Sequence, residues 1–464
     1  MAELEPLYTA AEMRAAEARY PGYPETVPEL MERAGAAAAE VALRRFPAAR
    51  RWTVVCGGGS NGGDGRVMAR LLEAAGREVR IVDAKAGERD LGRPDVVVDA
   101  LFGTGFSGRP RDDAAALIET MNATGVPVIA IDLPSGVDAS SGEVAGGAVR
   151  AAVTVTFHGR KLGLAVSPGR LHAGEVHVAD IGLEPLETAA QWVTEEILAL
   201  VPAKQPHDNK YSAGSVLVVG GSPGMTGAAA LAARAAFRAD AGYVVLAAPA
   251  ESLPVLETLV LEAVKRPLGQ ALEAARRARA LALGPGLGRT AAAKALVRRL
   301  LEEVEAPAVV DADALFGLEP ADWPGARVLT PHEGELARLL GRSSQQVAAQ
   351  RLASVREAAA RFGCVVLLKG ADTLVATPDG GVLIRVSDAP GLATAGSGDV
   401  LTGIVAAFLA KGMEARLAAA AAATAHGLAA LESGKARGLV AGDVVEALPQ
   451  VLARRPPSGA TTRP

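Results

Sequence analysis

Short apolar runs rich in Val, Ile and Leu recur along the chain, and longer Ala/Leu/Arg stretches separate them. Five runs in the first half predict buried strands: WTVVC (52–56), REVRIVD (77–83), DVVVDAL (95–101), PVIAIDLP (127–134) and AAVTVTF (151–157). Segments such as RVMARLLEAAG between them have helical spacing. Near-continuous apolar strands that alternate with helices predict a parallel sheet covered on both faces. The rhythm breaks at 184–206, where EPLETAAQWVTEEILALVPAKQP is acidic, then proline-bearing, and has no clear strand pattern. A domain boundary is expected near 205. A second α/β series follows: GSVLVVGG (214–221), AGYVVLAAP (241–249), ALALGPG (280–286), PAVVDADAL (307–315), RVLTPHEGE (327–335) and CVVLLKGADTLVA (364–376). The expected organisation is 1–205, then 206–455, then a disordered tail over 456–464 within RRPPSGATTRP.

Composition narrows the picture. A length of 464 residues fits two or three domains, at roughly 150 residues each. Half the residues are hydrophobic but only 3% are aromatic, so the core must be built from Ala, Val and Leu. A net charge of −4 argues against a nucleic-acid partner and against a polybasic membrane-surface binder. No apolar run reaches the roughly 18 residues of a membrane span, and the acidic, amphipathic start MAELEPLYTAAEMRAAEARY does not read as a signal peptide. A soluble cytoplasmic protein is expected. Cys56 and Cys364 border apolar runs and are expected to be buried, reduced thiols; without a CxxC spacing no zinc site is implied.

Candidate chemistry lies at the ends of the predicted strands. GGGSNGGDG (57–65) follows the first strand and opens a helix, the place where backbone N–H groups face an anionic ligand. Asn61 and Asp64 can reach out of this turn. Asp99 ends a strand before the glycine-spaced LFGTGFSGRP, and Asp132 ends another, with Ser135 in the following turn. Any one of these residues alone reads as a helix cap or a turn residue. Together they put Asn61, Asp99, Asp132 and Ser135 on one edge of the sheet. Oxygen donors with little charge suit a weakly charged hard cation better than zinc. In the second half, GLATAGSGD (391–399) runs into the apolar VLTGIVAAFLA. Small residues at a helix start make a concave row of N–H groups suited to phosphate. Asp399 would sit beside that phosphate, placed to take a proton from a hydroxyl. The alternative is a capping acid, but a cap needs no GSG before it.

NGGDG, DALFGTG and DLPSG resemble the YjeF N-terminal family, the NAD(P)H-hydrate epimerases, over about residues 1–200. The resemblance implies a Rossmann-like three-layer α/β domain. It implies that Ser60, Asn61, Gly62, Gly63 and Asp64, with Gly103, Thr104, Gly105, Phe106, Ser107, Gly108 and Arg109, hold a hydrated nicotinamide nucleotide. Asn61, Asp99 and Ser135 would hold potassium. Asp132 would bind substrate and move a proton. Ser60 stands where the family often has an asparagine.

The GSGD turn resembles the anion hole of ribokinase-like enzymes. With KYSAGSVLVVGGSPGMTG, ALGPGLG, VVDADAL, LTPHEGELARL and LLKGADTLV, residues 205–455 resemble the YjeF C-terminal family, the ADP-dependent NAD(P)H-hydrate dehydratases. That implies a ribokinase-like α/β domain. Gly227 and Ala228, with Gly286 or Gly288, would line the hydrate pocket, and His332 would contact substrate. Lys369, Gly370, Ala371, Asp372 and Thr373 would line the adenine-nucleotide site. Gly398 would bind the nucleotide phosphate and Asp399 the substrate. ADP is implied as co-substrate, and magnesium as an aid to phosphoryl transfer, with Asp311 and Asp313 as supporting candidates. The family commonly has GNPG and ATGG where this chain has DAPG (388–391) and ATAG (393–396). A left-handed backbone at Ala395 would cost ~1 kcal/mol or more.

Taken together, the resemblances imply epimerisation of R and S hydrates of NADH and NADPH, and ADP-dependent dehydration of the S form. The small-molecule partners would be these hydrates and ADP, with no nucleic acid or membrane partner; the Ala-rich helices allow a homo-oligomer. Two rivals stand beside this reading. One is a kinase of a small alcohol, and the other is a dimerising scaffold of the kind found in RNA-associated proteins. The fused first half disfavours the kinase, and the presence of Asp99 and Asp132 disfavours the scaffold.

Overall fold

The computed structural model describes residues 4–454, and the tail expected at 456–464 lies outside the described residues. The chain divides into two compact units: residues 6–190 with 348–352, and residues 191–347 and 353 onward with residues 4 and 5.

In the first unit six parallel strands run in the order Glu78–Asp83, Arg51–Cys56, Val96–Ala100, Val128–Ile131, Val153–Phe157, Glu175–Ala179. Alternate residues serve opposite faces, as pleating requires. Trp52, Val54, Val96 and Val98 join a core with helices Val27–Arg45 and Ser60–Ala74. Val55 and Val97 join a second core with helix Asp112–Ala123. Trp52 is 1% exposed at the centre of the first of these cores. The result is the expected three layers. The strand Arg51–Cys56 comes first in sequence yet lies between the second and third, so a topological switch point falls at its C-terminal end, where open α/β sheets bind ligands.

The second sheet has eleven strands, from the edge strand Leu4–Leu7 to Val264–Pro267. Its parallel core places Ser215–Val219 between Ala280–Leu283 and Tyr243–Ala248, a second switch point. Helix Ser397–Ala410 is buried along all of Val400–Ala410. It crosses Thr226–Arg238 so closely that a Cβ on Gly403 would lie 2.2 Å from the Ala232 carbonyl oxygen. Alanine on both helices permits this approach, and so a chain with few aromatics still fills its interior.

Strand expectations change at several places. REVRIVD forms the edge strand Glu78–Asp83 rather than a buried one, with Ile81 exposed. Ala190–Val193 and Glu175–Ala179 are strands that the sequence reading lacks. CVVLLKGADTLVA is two antiparallel strands, Val365–Leu368 and Asp372–Ala376, with Lys369 to Ala371 as their turn. A third antiparallel strand, Val382–Val386, adds beyond them. Both cysteines are free and buried, and burial pushes Cys56 up to about 11 and Cys364 up to about 12, leaving inert thiols. Among the described residues no helix is long and apolar enough to cross a membrane.

Candidate active sites

The glycine loop of the first unit turns directly into helix Ser60–Ala74, whose N-cap is Gly59. The turn has no room for side chains at two points: a Cβ on Gly57 would meet the Leu101 carbonyl oxygen at 2.0 Å, and one on Gly62 the Gly57 carbonyl oxygen at 2.0 Å. Gly62 and Gly63 therefore shape the turn, the latter packing on Met31. Asn61 is buried in the first helical turn. Its Nδ2 donates to the Phe102 carbonyl at 2.8 Å, and its Oδ1 is buried without a partner. Asp99 is completely buried; Ser135 donates to it from Oγ at 2.6 Å and from its N–H at 2.8 Å, and Leu101 N–H donates at 3.2 Å. Ser135 Oγ accepts from Phe102 N–H at 2.9 Å. Asn61 and Ser135 thus meet on the backbone of Phe102, and Asp99 joins them through Ser135. Burial pushes Asp99 up to about 6, against the pull of its hydrogen bonds from Ser135.

Asp132 takes a left-handed conformation, φ 67°, which is uncommon for a residue with a Cβ and marks a position fixed by its surroundings. Its carboxylate accepts from Thr104 N–H at 2.9 Å and Thr156 Oγ1 at 3.3 Å. It is also paired with Lys161, whose Nζ lies 2.8 Å away and is 1% exposed. Lys161 also donates to the Phe157 carbonyl at 2.7 Å. Sequence reading misses Lys161, because a lysine after a strand normally reaches for water. A cavity of about 930 Å³ opens over these groups, within the size range of small-molecule sites. Ser60, Asn61, Asp64, Gly103 to Ser107, Arg109 and Asp132 line it, and Gly62, Gly63 and Gly108 do not. Arg14, Lys85 and Arg111 line it as well and bring positive charge that suits an anionic ligand. Burial, then the charges of Asp132 and Glu17, push Asp64 up to about 8.

In the second unit the GSGD turn is set by Gly396, the N-cap, at φ 86°. Ala395 is exposed and is not the left-handed residue, so the substitution there carries no backbone penalty. Ala389 is buried in the apolar core of this unit. Asp399 lies in the first helical turn, and the helix has no side-chain cap, so the acid is not used as one. Burial and the Asp311 carboxylate push it up to about 7. Asp311 is fully buried at a strand end. Its Oδ1 lies 2.7 Å from Lys369 Nζ, and its Oδ2 accepts from Thr402 Oγ1 at 2.7 Å. Lys369 also faces the buried Glu335 at 3.8 Å. Burial alone would lower the Lys369 ammonium, but Asp311, Glu335 and Asp399 outweigh it, and the net shift is upward. A Cβ on Gly398 would lie 3.3 Å from Lys369 Nζ, which places that backbone against the ion pair.

The remaining predicted residues divide. Ala228 packs against Gly286, and Gly288 N–H donates to Asp313 at 2.9 Å. Gly227 is exposed with open space around it. His332 caps helix Glu333–Leu340, its Nδ1 accepting from Gly334 and Glu335 N–H. Gly370 and Ala371 are exposed in the hairpin turn, whereas Asp372 and Thr373 are buried in the strand. Asp311, Thr402 and Glu335 form the support of the site, and the sequence alone links none of them, since they lie far apart in the chain.

Residues 216–450 match the family model described as NAD(P)H-hydrate dehydratase, and residues 27–90 and 80–163 match that of the YjeF-related protein N-terminus. The bifunctional NAD(P)H-hydrate repair enzyme of Moorella thermoacetica is 40% identical, with 96% of each chain covered. The chain belongs to the bifunctional NAD(P)H-hydrate repair enzyme family. The Escherichia coli member is 35% identical over 92% of this chain and 90% of its own. Among solved structures, the ADP/ATP-dependent NAD(P)H-hydrate dehydratase of Bacillus subtilis, co-crystallised with ATP and magnesium, is 31% identical with a TM-score of 0.52. It covers 56% of this chain and 96% of that one. A ribokinase-like superfamily protein from Enterococcus faecalis, 24% identical with a TM-score of 0.51, shares the fold of the second unit.

Proposed function

We propose that the first unit interconverts the R and S hydrates of NADH and NADPH, and that the second dehydrates the S form at the expense of ADP. The observation that carries this reading is the pairing, in one chain that covers 96% of a bifunctional relative, of two acids at strand and helix ends: Asp132 beside Lys161, and Asp399 near the Asp311–Lys369 pair. The first cavity has the size and the basic lining for an anionic nucleotide.

In the second unit Asp399 takes the proton of the 6-hydroxyl group, whose oxygen then attacks the β-phosphate of ADP, and AMP departs. Phosphate is a far better leaving group than hydroxide, so its loss from C6, with the C5 proton released to solvent, restores the dihydropyridine ring. The N–H groups of the GSGD turn face the phosphoryl group in transfer. Lys369 is held beside Gly398 by Asp311, and Thr402 ties Asp311 to the helix that carries Asp399. The exposed Gly370 and Ala371, with the turn they form, are the part of the proposed nucleotide site open to a ligand.

The donor set of the first unit fits potassium. The unpartnered Asn61 Oδ1, one carboxylate and the Ser135 hydroxyl offer oxygens with little charge, and Asn61, Asp99 and Ser135 would hold the ion. It would supply fixed positive charge beside Asn61, which lines the cavity. Magnesium has no carboxylate cage: among the described residues no group of three or more His, Cys, Asp or Glu side chains could hold a metal ion. Asp311 is engaged by Lys369 and Thr402, and Asp313 by Gly288 and Arg289. Any magnesium here would arrive with the nucleotide phosphates.

The test is absorbance of the dihydronicotinamide ring during incubation of mixed R and S hydrates with the full chain, with and without ADP and magnesium. ADP-dependent recovery from both epimers is expected. No recovery with ADP or ATP would sink the dehydratase reading and bring forward a kinase of a small alcohol.

A further inference from the structure

The hydrate is a carbinolamine: its C6 carries both the hydroxyl and the ring nitrogen. The simplest inversion at such a carbon opens the ring. The hydroxyl loses its proton, C6=O forms, the C6–N1 bond breaks, and the electron pair left on N1 takes up a proton. Rotation about C5–C6 and the reverse steps on the other carbonyl face give the second epimer. No oxidant or co-reactant is consumed. The site must offer one carboxylate that accepts a proton and one acid that donates it, and both must reach the same ring.

We propose that Asp132 is the base that receives the hydroxyl proton, that Asp64 is the acid that delivers a proton to N1, and that Lys161 is the positioning residue that fixes Asp132 for its role. This rests on the epimerase reading of the first unit. Both acids line the one cavity, and they reach it from different elements, Asp64 from the helix after the glycine loop and Asp132 from the end of Val128–Ile131. Their surroundings differ in the way that separates acid from base. Asp132 has a buried ammonium at 2.8 Å and its carboxylate accepts from Thr104 N–H and Thr156 Oγ1, so it is held as an acceptor. Asp64 has burial and two like charges against it, Asp132 and Glu17, with only the charge of Lys161 in its favour. It stands at about 8, so it holds a proton at neutral pH and can give it up. Glu17, from helix Ala10–Ala18, is itself raised by burial and by Asp132, with Lys161 and Arg14 opposing. His158, beside Lys161, is lowered by burial and by that ammonium, so it adds no positive charge at neutral pH. Lys161 is therefore the cation in direct contact with Asp132, while Arg14 acts on Glu17.

The experiment follows pure R hydrate and pure S hydrate separately with the full chain, ADP and magnesium, after subtraction of uncatalysed epimerisation. Asp64→Asn is expected to slow consumption of R by about 100-fold or more, the scale of a lost proton donor, with S consumption unchanged. In the wild type the R rate falls as pH rises through about 8. Lys161→Met is expected to slow R consumption and to move the alkaline fall of its pH profile upward, because Lys161 holds Asp64 down, and Lys161→Arg to restore that limb, since it keeps the cation. Wild-type R consumption by Asp64→Asn would overturn the acid assignment. A Lys161→Met profile that is scaled down but unmoved, with no rescue by Arg, would overturn the positioning role and leave a purely structural one. A wild type that consumes S but never R would sink the epimerase reading itself, a distinct result.

Discussion

Burial and the neighbouring Asp311 carboxylate push Asp399 up to about 7. A base there gains its charge as pH rises through neutrality. Dehydration of S hydrate is therefore expected to increase across that range and level off above it, read as kcat against pH. Asp399→Asn keeps the shape of the side chain and removes the proton acceptor, and should lower kcat by about 100-fold or more. A variant with wild-type kcat would return Asp399 to a structural role. At this scale the sequence was partly readable. Asp399 is visible because glycine on both sides of Ser397 makes the turn, and Gly396 supplies the left-handed residue that frees Ala395 from that duty. Lys161 is not visible. Nothing in HGRKLG says that the chain will reverse at His158, φ 66°, and fold the ammonium back onto Asp132. The link from Asp311 to Thr402 spans 91 positions and arises only from packing.

Among the elements, the strands that were legible are those with β-branched residues buried on both faces, such as Val96–Ala100 and Ser215–Val219. The edge strand Glu175–Ala179 and the interior strand Ala190–Val193 escaped notice because their sequences are short and mix polar with apolar residues. The hairpin at Lys369 to Ala371 was hidden between two apolar runs, CVVLL and LVA, separated only by KGADT. Two glycines test how far helix geometry matters. Gly403→Ala puts a methyl group 2.2 Å from the Ala232 carbonyl oxygen, forcing helix Ser397–Ala410 away from its neighbour. A loss of about 1–3 kcal/mol is expected, seen in denaturant unfolding, together with slower dehydration because the same helix carries Asp399. Gly227 has open space at its Cβ and an ordinary φ. Gly227→Ala should be neutral or stabilising by up to about 1 kcal/mol. If Gly227 also lines the hydrate pocket, KM for S hydrate rises while stability does not fall; an unchanged KM removes it from the site.

For the whole molecule, each site's acids and their supporting groups lie inside one unit, so the two activities should separate by single substitutions in the intact chain. Asp132→Asn is expected to repair the S portion of a mixed hydrate promptly and the R portion only at the uncatalysed rate. Asp399→Asn is expected to restore no dihydronicotinamide, yet to convert pure R into a mixture of R and S, followed by chromatography. Loss of both activities in either variant would mean that the units do not act independently.

The three tryptophans add a different consequence. Trp52 sits in the core of the first unit, one residue into the strand that leads to the glycine loop, whereas Trp192 and Trp323 fall within the second. Replacing Trp192 and Trp323 by Phe leaves a single indole emitter, shielded from water in the folded chain. Its emission then reports the melting of one half of the molecule while the other half stays spectroscopically silent, with no cut in the polypeptide and no added dye.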